Sequence, residues 1–197
     1  MLFCKFVKQV QAQNQVKNAL IGLQQRLNLN VNILLFCCWT AQIGHKQMNK
    51  KDILDILAAI SPWHEKIVLA LKKLRKRAQQ ETTKPTLRKI SKLILEKEIA
   101  ANQIEQKILC DIMIKPACKY SKTQKFITAC KNITNYCKEL RNGMDHQDTE
   151  AIKCLLSTIF PNIDTKQITA YWGTSFTKSK NYNPHLYSQP QLDDLLY

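Results

Sequence analysis

Apolar residues recur along most of this chain at the three-to-four spacing of a helix with one buried side. Val16, Leu20, Leu23 and Leu27 fall at i, i+4, i+7 and i+11, one stripe of a helix running from Lys5 to Leu27. The polar patch Gln11-Ala12-Gln13-Asn14-Gln15 interrupts it, and Asn14 is placed to cap a fresh start. Asn28 to Asn30 makes a turn. Val31 to Ile43 differs: it is apolar on nearly every side, which predicts a helix surrounded by others. Such a helix is about 20 Å long, too short for a bilayer, and Thr40 and Gln42 already break the run. A buried β-strand fits the same run, since periodicity cannot separate the two. Length and the Cys-Cys-Trp-Thr-Ala-Gln continuation favour helix. Gly44 suits the C′ position that ends it.

Asn49 can cap the next helix, with Asp52 in its first turn and Ile53, Ile56, Leu57 and Ile60 facing inward. Ser61-Pro62 reads as an N-cap followed by proline at the first helical position. Ile67, Val68, Leu71 and Leu74 would form that helix's buried stripe, with Lys72, Lys73, Lys76 and Arg77 outside. After a polar linker, Gln79 to Lys84, Pro85 opens a long helix to about Ile112. Leu87, Ile90, Ile94, Ala101, Ile104 and Ile108 keep a spacing suited to lengthwise packing, with Lys97 filling the gap. Lys115-Pro116 ends it. Phe126, Cys130, Ile133, Cys137 and Leu140 mark another helix, ended near Gly143. Asp148 caps a last one, with Ile152, Leu155, Leu156 and Ile159, stopped by Phe160-Pro161. Beyond Ile168 the pattern fades, and Thr174 to Tyr197 reads as a loosely ordered tail.

Composition agrees with this pattern. Only 4 glycines and 6 prolines occur in 197 residues, so turns are few and helices long. The expected architecture is all-α: about six or seven helices around a central one. Residues 1–163 form a single domain, and 164–197 a short helix or turn plus tail. The 8 cysteines do not read as a disulfide framework. Met1-Leu2-Phe3-Cys4-Lys5 does not resemble a secretory leader, Cys37 and Cys38 lie inside an apolar run, and no Cys-x-x-Cys occurs. Reduced thiols in a cytoplasmic protein with no membrane span, metal or other cofactor are expected.

At this point the residues resemble a known pattern. Asn30-Val31-Asn32-Ile33-Leu34-Leu35-Phe36-Cys37-Cys38-Trp39 is similar to the D-V-N-L-L-L-F-x-L-W signature of a small proteobacterial family of unknown function. Pro62-Trp63 and the helix from Val68 to Arg77 are similar to that family's next segments. Glu98 to Glu105 resembles its Glu-Leu-x-Ala-Glu helix, with Asn102 where the acid usually stands. Asn132-Ile133-Thr134-Asn135-Tyr136 and Ile159-Phe160-Pro161 resemble its C-terminal end, so the likeness covers about Val16 to Pro161. A tyrosine and a glycine usual before the first long helix are replaced here by the Gln-rich patch. The resemblance implies a fold and a bacterial cytoplasmic location, and no chemistry.

Enzyme signatures are weak. His64 and Glu65 are neighbours, about 100° apart on a helix, so they make a poor pair. A helix start at Pro62 would set His64 near a positive helix end that disfavours imidazolium. His45, His146 and His185 have no better partners by spacing, and Asp145-His146-Gln147-Asp148 reads as a capping turn. Asp52 with Asp55, and Glu98 with Glu105, could pair on one face, but solvated helix-surface carboxylates are the commoner arrangement. Trp39 is expected in the core and Trp63 folded over it, while Trp172 either docks the tail or stays exposed. No phosphate-cradling glycine loop or nucleophile elbow occurs.

Charge supplies the one candidate site. The net charge is +15, and Lys66 to Lys97 holds eleven basic residues against Glu81 and Glu96. Lys72, Lys73, Arg75, Lys76, Arg77, Lys84, Arg88, Lys89 and Lys92 are the expected face, spread over two consecutive helices. Such a face suits phosphates of RNA or a ribonucleoprotein, contacted without regard to sequence. An acidic protein surface is the alternative partner, making the chain an adaptor. The competing reading is background basicity with lysine stems covering apolar surface, because only five of the 30 basic residues are arginine.

Overall fold

The computed structural model describes residues 2–80, 85–112, 119–140 and 143–176. Phe3–Gln11 (α1) sends Phe3, Phe6, Val7 and Val10 inward, and Asn14–Leu27 (α2) does the same with Val16, Leu20, Leu23 and Leu27. The break falls where the glutamine-rich patch interrupts the stripe. Asn14 does not cap it: Gln13 is the extended residue before α2 and supplies no side-chain bond. Asn28 is left-handed, φ 51°, a conformation asparagine tolerates better than most residues, and it turns the chain into Val31–Gln42 (α3).

Helix α3 is the centre of the fold, and the strand alternative is overturned. Every position from Asn32 to Ala41 is buried. Asn30 caps it, its Oδ1 accepting from the N–H groups of Asn32 and Ile33. At the other end Gly44 has φ 86°, and the N–H groups of Gly44 and His45 return to the carbonyls of Ala41 and Thr40. This double return is a Schellman motif, for which glycine is the usual left-handed residue. Trp39 lies 5.2 Å from the Phe3 ring and 5.8 Å from the Phe36 ring, within the core as its apolar surroundings predict.

Lys50–Trp63 (α4) opens with a reciprocal capping box between Asn49 and Asp52. The expected helix start at Ser61-Pro62 is corrected: Pro62 lies inside α4. The chain then runs through a π turn, His64–Val68, into Leu69–Gln80 (α5). Pro62 has no N–H to give to the preceding turn, and the Ser61 hydroxyl donates back to the Leu57 carbonyl at 2.8 Å. A proline-led reset of the ladder and a proline-led new helix carry the same local signature. Of the stripe Ile67, Val68, Leu71 and Leu74, only Val68 is buried; Leu74 is 51% exposed.

Pro85–Ile112 (α6) packs lengthwise on α5, as its spacing predicts. Its inward face keeps the expected Ile94 and Ala101 but differs elsewhere. Ile94, Glu98, Ala101, Glu105 and Leu109 are buried, whereas Ile90 and Ile104 face solvent. Glu98 thus turns inward in the gap that the spacing assigns to Lys97, and Glu105 in place of Ile104.

Lys122–Glu139 (α7) starts in a capping box of Ser121 and Gln124 and lies against α3. Its Asn132 bridges the core, accepting from the Met48 N–H at 2.8 Å and donating to the Cys37 carbonyl at 3.2 Å. His146–Ile159 (α8) is capped by Asp145; Asp148, the expected cap, is its capping-box partner and also binds Arg26 of α2 at 2.7 Å. Thr165–Phe176 (α9) carries helical order past Ile168, and Trp172 is fully buried. The described residues therefore hold nine α-helical segments and a π turn, more than the six or seven expected, and no strand. None of those helices is long and apolar enough to cross a membrane. The Lys115-Pro116 stop, most of the Gln79 to Lys84 linker and the tail beyond Phe176 lie outside the described residues.

Candidate functional site

The site is built upward from Glu105, which is wholly buried on α6 opposite the start of α3. A lone carboxylate there would be very costly, so its oxygens must be satisfied. Asn30 Nδ2 donates to Oε1, Asn32 Nδ2 to Oε2 at 2.8 Å, and His64 Nδ1 lies 2.9 Å from Oε1. Asn30 is well placed for this. Its amide oxygen caps α3, so its amide nitrogen must face away, and the Tyr136 hydroxyl accepts its backbone N–H at 2.8 Å. Burial alone would raise the carboxyl's pKa. The hydrogen bond and charge of His64, with the bonds from Asn32 and Asn30, outweigh that and hold it below the ordinary 4.5.

His64 reaches Glu105 because of the π turn. The Leu69 N–H bonds to the His64 carbonyl, one residue further than in an α-helix, and such bulges re-aim side chains and often occur at functional sites. The Trp63 indole N–H donates to the Ala101 carbonyl at 3.0 Å and ties the turn to α6. Asn30 Nδ2 also lies 2.9 Å from His64 Nδ1. Both nitrogens converge on one carboxylate oxygen, so a proton on Nδ1 satisfies the geometry. An unprotonated Nδ1 would set two acceptors 2.9 Å apart. In the neutral ring Nε2 is then the acceptor.

The surrounding amides are consumed within the network. Asn32 Nδ2 also lies 3.1 Å from Asn102 Oδ1, and Asn32 Oδ1 accepts from Gln106 Nε2 at 3.1 Å. Asn102 Nδ2 donates to the Glu98 carbonyl at 2.8 Å. Glu98, buried one heptad before Glu105, takes Arg75 through Nε at 2.7 Å and Nη2 at 3.5 Å. Both carboxylates were expected on a solvated surface. Each is buried instead, with its own basic partner from the α4–α5 segment.

Above this floor lies a groove of about 1080 Å³. Lys8 of α1 and Lys17 of α2 stand on one wall; Lys72, Lys73, Arg75 and Lys76 of α5 stand on the other. Asn32, His64, Asn102 and Gln106 line it too, with apolar side chains that include Leu20, Ile21, Leu29, Leu69 and Ile99. No Phe, Tyr or Trp lines it among the described residues. Lys72 is half-buried. Burial lowers its pKa from 10.5; Glu98 and Glu105 oppose this, and Arg75 and Lys76 add to it.

The structure thus gathers Lys72, Lys73, Arg75 and Lys76 on one wall, although Arg75 is committed to Glu98. Arg77, Arg88, Lys89 and Lys92 are exposed and do not line the groove, and Lys84 lies outside the described residues. Lys8 and Lys17 escaped the sequence reading, because nothing local connects them to α5. The His64–Glu105 pair escaped it too; a sequence separation of 41 hides any spacing signal. Among the described residues no group of three His, Cys, Asp or Glu could hold a metal ion.

The sequence model of a family described as "Protein of unknown function (DUF2390)" matches residues 3–109. That span contains both groove walls and every residue of the Glu105 network except Tyr136 of α7. No curated protein and no solved structure matches the chain.

Proposed function

We propose, for a chain that belongs to the DUF2390 family of proteins of unknown function, that it binds a single strand of RNA in the groove between α1–α2 and α5. The observation that supports this is convergence. Lysines from three separate helices line one groove. Five of them, Lys8, Lys17, Lys72, Lys73 and Lys76, form no ion pair among the described residues and are suited to backbone phosphates. We take the protein to be bacterial and cytoplasmic, a reading supported by its free thiols and by the signature around α3.

Fluorescence anisotropy with a mixed-sequence RNA oligomer tests the reading. Five phosphate contacts imply a log–log salt slope of about −3.5, at roughly −0.7 per contact on a single strand. No binding at about 50 mM salt would refute it. A second reading, an adaptor for an acidic protein, is favoured by the exposed Leu74, Ile90 and Leu93 along α5 and α6, which phosphate binding does not use. That partner would survive nuclease treatment in a pull-down, and RNA-bridged partners would not.

A further inference from the structure

We infer that His64 is a ribose-hydroxyl site, which makes the groove select RNA over DNA. The inference rests on the strand-binding reading and adds a residue that tells one nucleic acid from the other.

Phosphate contacts by lysine are blind to the sugar, so the walls alone would hold either strand. Stacking on aromatic rings, the usual second element of single-strand sites, has no Phe, Tyr or Trp to serve it among the residues lining the groove. Discrimination must then come from the polar groups that line the groove, which include Gln11, Gln24, Gln25, Asn28 and Gln103 beside the Glu105 network. Asn32, Asn102 and the Gln106 amide nitrogen are engaged with one another and with Glu105 and the Glu98 carbonyl. His64 differs. Its Nδ1 side is turned to the buried Glu105, its ring is part-exposed at 15%, and the ring lines the groove. The carboxylate holds a proton on Nδ1 whether the ring is neutral or cationic, which leaves Nε2 for the groove, an acceptor in the neutral ring and a donor in the imidazolium. A 2′-hydroxyl both donates and accepts, so it pairs with Nε2 in either state, and it is the group by which RNA is told from DNA. The bond to Glu105 and the tethered π turn mean that the ring is pre-oriented before the ligand arrives.

The experiment compares one sequence as RNA, as DNA and as 2′-O-methyl RNA, with the full chain at about 50 mM salt, neutral pH and with chelator present. Wild type should hold RNA about fivefold more tightly than either other strand, the worth of one neutral hydrogen bond. His64→Asn removes Nε2 but keeps an amide donor near the Nδ1 position, so Glu105 stays satisfied. This variant should bind RNA as weakly as DNA, with unchanged DNA affinity and salt slope. His64→Ala, checked for native helicity and melting, should behave alike. Equal binding of RNA and DNA by wild type, or a preference that survives in His64→Asn, would overturn the ribose site and leave strand binding standing. Failure to bind any of the three strands would sink both.

Discussion

Replacing Glu105 by leucine removes the anion around which the groove floor is organised. In wild type the carboxylate accepts from Asn30, Asn32 and His64. Leucine fills most of the volume and accepts nothing. Two buried amide donors then lose a partner, at about 1–3 kcal/mol each, while part-exposed His64 can turn to water. Breaking a buried charged pair from one side typically costs about 3–5 kcal/mol, and both routes lead to about that figure. Against a typical total of about 5–15 kcal/mol this is a large loss. Urea melts of wild type and Glu105→Leu, followed by far-ultraviolet circular dichroism, measure it as a shift of midpoint at constant slope. The pH dependence supplies a second signature. Glu105 is held below its ordinary 4.5, so its stabilisation is full above that value and fades as pH falls through its lower folded-state value. The difference between the two proteins should therefore shrink in acid and be largest at neutral pH. A neutral-pH cost under about 1 kcal/mol would refute the reasoning, because it would mean that water reaches the carboxylate.

Two further outcomes follow from the core. Trp39→Ala should cost about 3–5 kcal/mol in the same melts, since the ring packs against Phe3 and Phe36; less than about 1 kcal/mol would mean that α3 is not central. A thiol reagent at neutral pH should label exposed Cys4 quickly in native protein. Cys37, Cys38, Cys130 and Cys137 should react only after denaturation, because burial raises their pKa values, to about 12 for Cys130 and Cys137. Rapid native labelling of more than the exposed or half-buried thiols would contradict the packing.

The architecture was legible where the signal is local. The all-round apolar run of α3, the Asn49 cap, the Gly44 stop and the span of α6 each follow from spacing or from one residue's conformational preference. The site was not legible, because its logic is long-range. Hydrophobic periodicity turns Ile90 and Ile104 of α6 inward. The fold turns Glu98 and Glu105 inward because Arg75, His64, Asn30 and Asn32 are there to receive them. Those partners lie 23 to 75 residues away in sequence. The π turn was hidden for a different reason: Ser61-Pro62 marks a helix start as readily as a reset within one. The basic segment was visible as composition, but only the fold separates the lysines that face the groove from those that do not.

That separation gives the most direct measurement of the central claim. Two triple variants, Lys72, Lys73 and Lys76→Glu and Arg88, Lys89 and Lys92→Glu, change the net charge equally and lie on neighbouring helices. Only the first set lines the groove. Anisotropy titrations of both with the same RNA at about 50 mM salt should show binding abolished by the first and reduced no more than about twofold to threefold by the second. Equal losses in the two variants would contradict the account, since they would show that the strand responds to overall charge and not to the groove.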